Sequence, residues 1–288
     1  MLWKKSRRSD NVVEGGGGGG GMRFGGGLGL GGIIVVVIVG LLFGKNPMEL
    51  LQLLGGIALE GGGPVQQETT PAGNDEQTDF VRAVLGSTED VWNDVFRASG
   101  QQYPAPRLVL FRGGVQSACG AASSAMGPFY CPGDQQVYLD LDFFREMATR
   151  FQAAGEFAQA YVIAHEVGHH MQNVLGVMRQ VEQAARGGAP MQGAGGLSVR
   201  QELQADCFAG VWANHAQQKY NWLEAGDIEA ALNAANQIGD DALQKRAQGY
   251  AVPDSFTHGS SAERVRWFKA GFTGGDLRNC DTFNASQL

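Results

Sequence analysis

Residues 157–164 of this chain carry no charged side chain, and the next two helical turns then bring His165, Glu166, His169 and His170. Val162, Ile163, Val167 and Met171 add an apolar face, so the spacing predicts a mostly buried helix over about residues 156–175. A buried helix with unpaired ionisable groups is costly. The order His165-Glu166-x-x-His169 offers a way out. Residues four apart share a helical face, so both imidazoles can reach one metal ion. Glu166, one step round, stands beside that ion as a general base rather than a ligand. His170 is turned about 100° away on helical geometry and is not expected to ligate.

An open catalytic zinc site needs a third protein ligand. A third histidine on the same segment would require Gly at 172 and His at 175, but the chain has Gln172 and Leu175. The remaining common source is a Glu on a second helix. Glu202 and Asp206 are four apart among Leu203, Ala205, Cys207, Phe208, Val211 and Trp212, so their helix is largely buried too. Glu202 is the expected third ligand. Asp206 is expected to accept the other ring N–H of a ligand histidine and so fix its tautomer. His258, in Thr257-His258-Gly259-Ser260 before Arg264, is a candidate donor to a substrate oxyanion, with a capping or core role as an equal alternative. Tyr250 is a weaker candidate of the same kind, and His215 reads as structural.

The rest of the chain reads as follows. Strands are expected at 107–111 and 137–141, the second as the edge strand beside the cleft. A helix is expected to start at Ser87 as N-cap before an acidic turn. Two more helices are expected over 198–218 and 227–237. A Gly/Ala/Pro-rich loop at 187–196 joins the two site helices and is a candidate lid. The folded part is thus α+β, mainly helical with a small β-sheet.

The first third has a different composition. Residues 15–21 are an unbroken glycine run, a spacer without side chains to pack. Residues 24–44 lack strongly polar side chains apart from their backbone, and their length is near the ~20 residues of a membrane-crossing helix. Lys4, Lys5, Arg7, Arg8 and Arg23 precede the run and Lys45 follows it. The positive-inside rule then leaves the N-terminus in the cytoplasm and the large domain outside. The expected organisation is a basic, Gly-rich tail at 1–23, a single transmembrane helix at 24–44, a linker at 45–77 and a domain at 78–288. The net charge of −7 argues against a nucleic-acid partner. Cys119, Cys131, Cys207 and Cys280 all lie on the outer side of this scheme, where disulfides persist. The pairs Cys119–Cys131 and Cys207–Cys280 are preferred over four free thiols, and no CxxC pair suggests a cysteine metal site.

These features together resemble the putative neutral zinc metallopeptidase family of bacterial membrane-anchored proteins, whose wider relatives carry H-E-x-x-H followed by E-x-x-x-D. The resemblance runs through the basic N-terminus, Cys119-Gly120, Phe129-Tyr130-Cys131-Pro132, Val137-Tyr138-Leu139-Asp140, His165 to His169 and Glu202 to Asp206. It implies a zincin-like domain with one Zn2+ on His165, His169 and Glu202, and Glu166 as catalytic base. It also implies hydrolysis of peptide or protein substrates at the bacterial inner membrane, with the catalytic domain periplasmic or extracellular. The alternative is a zinc-stabilised binding module of the cell envelope without activity.

Overall fold

The computed structural model describes residues 1–15, 69–73, 75–123, 127–149 and 155–288. Helices dominate. The first, α1 (Glu76–Ala98), is capped by Asp75, whose side chain accepts from the amides of Gln77 and Thr78. It runs straight through the expected start at Ser87. Ser87 is buried inside the helix, and its hydroxyl accepts from Trp212 Nε1 at 3.1 Å. A tertiary partner therefore takes the role that the sequence assigned to a cap. After α2 (Leu141–Thr149) come α3 (Glu156–Val174), α4 (Val177–Arg186), α5 (Leu197–Tyr220), α6 (Asp227–Gln237), α7 (Asp240–Gln248) and α8 (Ser261–Gly274). Ser260 and Glu263 close a capping box at the start of α8.

The strands are β1 (Val12–Gly15), β2 (Thr69–Pro71), β3 (Arg107–Phe111), β4 (Gly114–Ser117), β5 (Gly120–Ser123), β6 (Phe129–Cys131) and β7 (Gln136–Asp140). β4 and β5 form a separate hairpin, and the others form one sheet in the order β2-β1-β3-β7-β6. β3 is parallel to both β1 and β7, whereas β2 and β6 join antiparallel at the two ends. β7 is therefore flanked on both sides and is not the edge strand expected beside the cleft. The end positions belong to β2 and to the short β6, each with too few residues to be read as a strand from alternation.

Two close helix contacts fix the frame. A Cβ at Gly168 of α3 would lie 2.9 Å from the carbonyl oxygen of Ala205 on α5. Cβ atoms at Gly210 of α5 and Gly271 of α8 would overlap the backbone of the opposite helix. Glycine at these points lets three helices approach more closely than side chains allow. Trp92, Phe157, Tyr161, Trp212 and Phe268 fill the space around them. Cys207 of α5 is bonded to Cys280, and Cys119 to Cys131, the pairings preferred from the sequence.

Residues 1–15 are part of this fold and not a tail. Trp3 is buried and packs edge-on against Phe80 with ring centroids 5.4 Å apart. Arg7 pairs with Glu89 at 2.5 Å and Asp90 at 3.0 Å, and Arg8 with Asp79 at 2.6 Å. Ser9 donates to Glu89 at 2.6 Å, and the Met1 ammonium reaches Glu224 at 2.5 Å. β1 then pairs with β3. Residues 1–15 of the expected tail at 1–23 and residues 69–71 before the expected domain start at 78 are thus strands and contacts of the fold, while 16–23 lie outside the described residues. The basic cluster read as a cytoplasmic flank holds the chain to α1. Local charge cannot distinguish those roles, because the carboxylate partners lie more than sixty residues further along the chain.

The expected transmembrane helix at 24–44 lies outside the described residues, as does most of the expected linker. Among the described residues, no helix is long and apolar enough to cross a membrane. Gly15 and Thr69 are partners in the β1–β2 ladder. The chain thus leaves the sheet and returns to it at one place, so residues 1–15 and 69–288 share a side of any membrane. A single pass with the N-terminus on one side and the domain on the other does not fit that pairing. Lys5 and Lys269 are both exposed. In sealed cells making the full chain, a membrane-impermeant maleimide will modify Lys5→Cys and Lys269→Cys alike, both before lysis or both only after it. Modification of one before lysis and of the other only afterwards would contradict the shared side.

Candidate metal centre

The close approach at Gly168 and Ala205 places one face of α3 against one face of α5. His165 Nε2 lies 3.2 Å from Glu202 Oε2, and His169 Nε2 lies 3.4 Å from Glu202 Oε1. One ligand atom from each of the three residues lies within 4.8 Å of the others. Ligands about 2.0–2.2 Å from a tetrahedral zinc stand roughly 3.3–3.6 Å apart. The His169–Glu202 distance falls within that spacing and the His165–Glu202 distance lies 0.1 Å below it, and all three donors are of a type zinc takes, so the residues fit the ion. Their side chains are 8%, 12% and 19% exposed in the order His165, His169, Glu202. The cluster is therefore sheltered but open on one side, as a site with a free coordination position must be. Glu166, on the next step of α3, is buried beside it.

Asp206 lies one turn beyond Glu202 and is wholly buried. Its Oδ1 accepts from His165 Nδ1 at 2.8 Å and from the Tyr161 hydroxyl at 2.5 Å. Arg264 of α8 grips both oxygens, Nε to Oδ2 at 2.8 Å and Nη2 to Oδ1 at 2.9 Å. Because a carboxylate only accepts, His165 must carry its proton on Nδ1, which leaves Nε2 facing Glu202. His169 Nδ1 faces Gln172 Oε1 at 2.9 Å.

Charge follows from this geometry. Burial favours neutral Asp206, but Arg264 and His165 outweigh it and hold the carboxyl down at about 2. Burial also favours neutral His165, yet Asp206 and Glu202 raise its pKa to about 10. Glu202 is likewise held well below its usual range, against its burial, chiefly by His169 and His258. Glu166 moves the other way, its pKa raised by burial. That shift makes its carboxylate a stronger base than an exposed glutamate.

His258 stands at the rim, close enough to Glu202 for each to shift the other's titration. Asp240, the first residue of α7, holds it there. One Asp240 oxygen accepts the backbone amides of Thr257, His258 and Gly259 at 2.6, 2.7 and 3.0 Å, and the other accepts from His258 Nδ1 at 3.2 Å. The loop 187–196 abuts this segment through Gly193 N and the Phe256 carbonyl at 2.9 Å. His170 is turned away, bonded to Tyr130 and to the Pro104 carbonyl. His215 donates to the Gly275 carbonyl, and Tyr250 is exposed outside the cluster.

Sequence reading did not assign Tyr161, Gln172, Asp240 or Arg264 to the site. Tyr161 is four residues before His165 and so shares its face, a signal that periodicity carries. Arg264 and Asp240 arrive through tertiary packing and leave no local trace.

Comparison with known proteins agrees with this geometry. The family described as putative neutral zinc metallopeptidase matches residues 1–283. The uncharacterized protein YpfJ of Escherichia coli (strain K12) is 46% identical over 294 aligned positions, covering 99% of this chain and all of that protein. The uncharacterized protein Rv2575 of Mycobacterium tuberculosis (strain H37Rv) is 44% identical over 218 positions, covering 72% of this chain and 71% of that protein. The uncharacterized protein Mb2605 of Mycobacterium bovis matches to the same extent. No solved structure matches the chain.

In the metal-free protein His165 holds a proton on each ring nitrogen, and a metal must displace the one on Nε2. Zinc affinity will therefore rise with pH up to about 10, the folded-state value for His165. Titration calorimetry in buffers of different ionisation enthalpy will show protons released on binding. The stabilisation that protonated His165 gives the metal-free fold runs with the opposite sign. It is complete below the unfolded value of ~6.5 and is lost as pH rises through the folded value.

Proposed function

The chain belongs to the putative neutral zinc metallopeptidase family, and on that premise we propose that it is a zinc-dependent endopeptidase with His165, His169 and Glu202 as ligands and Glu166 as base. The observation that carries this reading is the meeting of two imidazoles and a carboxylate from α3 and α5, with a buried glutamate of raised pKa at their side.

Bound zinc supplies a Lewis acid for the substrate carbonyl and lowers the pKa of a coordinated water. The chain's own residues do the rest. Glu166 takes the proton of the attacking water and hands it to the departing amine. His258, fixed by Asp240, donates to the carbonyl oxygen as negative charge develops there. Asp206 keeps His165 in the ligating tautomer, and Arg264 keeps Asp206 ionised. An extended substrate pairs with the free edge of β6. Tyr130 of that strand bonds to Asn173 and His170 of α3, which sets the edge against the metal-bearing helix.

The same proposal includes attachment to the bacterial cytoplasmic membrane through the apolar run 24–44, with both folded flanks on one side. Two disulfides favour an oxidising location for that side, periplasmic or extracellular.

Glu166→Gln will retain one zinc per chain while kcat on an unfolded protein or peptide falls about 10²–10⁴-fold. Undiminished turnover by that variant removes Glu166 from the mechanism. His258→Ala will lower kcat roughly 10- to 100-fold, less than loss of a donor dedicated to the oxyanion alone, with KM little changed. An unchanged kcat assigns His258 to the loop's structure only.

A further inference from the structure

His165 is oriented by a carboxylate, which leaves no choice of tautomer. His169 is oriented by an amide, which does. If Gln172 turned its nitrogen toward His169, Nδ1 would have to accept, the proton would move to Nε2, and no lone pair would remain there for a metal. The direction of the Gln172 amide is therefore decisive for ligation.

Gln172 is fully buried and cannot consult solvent. Its Nε2 lies 2.6 Å from the Gln201 carbonyl oxygen and 3.2 Å from Gln204 Oε1. The first of these atoms can only accept. The second belongs to another amide, and that amide's nitrogen donates to the Cys280 carbonyl at 3.0 Å. Cys280 is itself buried and bonded to Cys207, one turn along α5 from Gln204. Arg200 and Thr282 hold the same C-terminal segment. Arg200 donates to the Thr282, Phe283 and Ala285 carbonyls, and the Thr282 hydroxyl donates to the Arg200 carbonyl at 2.6 Å.

We propose that Gln204 and Gln172 form a directional relay from the disulfide-anchored Cys280 carbonyl to His169, fixing the Nδ1–H tautomer that leaves Nε2 free to ligate. Each step follows from an atom that has no alternative role. The Cys280 carbonyl accepts only, so Gln204 presents its nitrogen there and its oxygen to Gln172. Gln172 then presents its nitrogen to Gln204 and Gln201 and its oxygen to His169. Both are positioning residues. They touch neither metal nor substrate, and they act through His169.

The relay rests on the metalloenzyme reading for its purpose but not for its geometry, and the test separates the two. Gln172→Leu in the full chain will weaken zinc binding, measured by chelator competition, about 10- to 100-fold. Gln204→Met, two residues removed from the ion, will weaken it roughly fivefold, the size of one lost hydrogen bond. It keeps the relay testable if Gln172→Leu does not fold. The second readout needs no metal. Nitrogen-15 NMR of the metal-free protein, at a pH where the ring is neutral, will show the His169 proton on Nδ1 in the wild type, a mixture of tautomers in Gln172→Leu, and a smaller share of the Nε2–H tautomer in Gln204→Met, where the Gln201 carbonyl still accepts from Gln172. Unchanged zinc affinity and an unchanged tautomer in folded variants overturn the relay. A wild type that binds no zinc but shows the Nδ1–H tautomer overturns the metalloenzyme reading and leaves the relay standing.

Discussion

The Asp206 carboxylate has no access to water, and the arrangement around it holds the candidate metal centre in place. An ionised carboxylate buried without partners is among the least tolerable features of a protein interior. Asp206 is satisfied by Arg264, Tyr161 and His165 together, and these come from α8 and α3 while Asp206 sits on α5. Three helices are thereby pinned at one point. The glycines at 168, 210 and 271 bring the backbones close enough for the pinning to occur. The candidate ligands Glu202 and His169, one turn away, inherit that rigidity. Loss of Arg264 would leave a buried charge uncompensated, so its effect would pass to His165 although it never approaches a substrate.

Much of this arrangement is legible in the sequence where the information is local. The helix expected over 156–175 is Glu156–Val174, and the strand expected at 107–111 is Arg107–Phe111. His165, His169, Glu202 and Asp206 share a site because two i,i+4 patterns each select one helical face, and apolar neighbours show that both faces are buried. The sequence does not show what those faces meet. Gly168 occupies an unspecified position in the motif, yet it sets how near α5 can come. Ser87 has every mark of a cap, but its hydroxyl is taken by Trp212 from a distant helix. Gln172 and Gln204 are uncharged amides in helices, and their direction becomes meaningful only when the Cys280 carbonyl is in place.

The N-terminal segment shows the same limit on a larger scale. A cluster of lysines and arginines before an apolar run satisfies the positive-inside pattern, and the pattern is sound when those charges are free. Here Arg7 and Arg8 are matched to Glu89, Asp90 and Asp79, and Glu89 is almost wholly buried. Charges fixed in ion pairs on one domain do not act as an independent topological signal. The parallel register of β1 with β3 then carries a consequence that hydropathy cannot supply. A strand inside a sheet must be in the compartment where the sheet folds, so Val12–Gly15 and the sheet strands after it belong to one compartment.

The charge of the buried cluster indicates what kind of ion it suits. Glu166, Glu202 and Asp206 bring three carboxylates, and Arg264 brings one fixed positive charge. Asp240 and His258 form a pair of their own at the rim. With all three carboxylates ionised, the cluster lacks two positive charges. Protons can fill part of that deficit, which is why the His165 pKa is raised in the metal-free protein. One divalent cation fills it completely and releases both ligand histidines to the neutral form that ligation requires. It also allows Glu166 to be ionised despite its burial, since the attraction of a nearby dication opposes the desolvation that raises its pKa. A monovalent ion would leave the cluster a charge short, so Glu166 would tend to keep its proton and could not act as a base. The proposed base and the proposed ligands thus answer to one electrostatic condition.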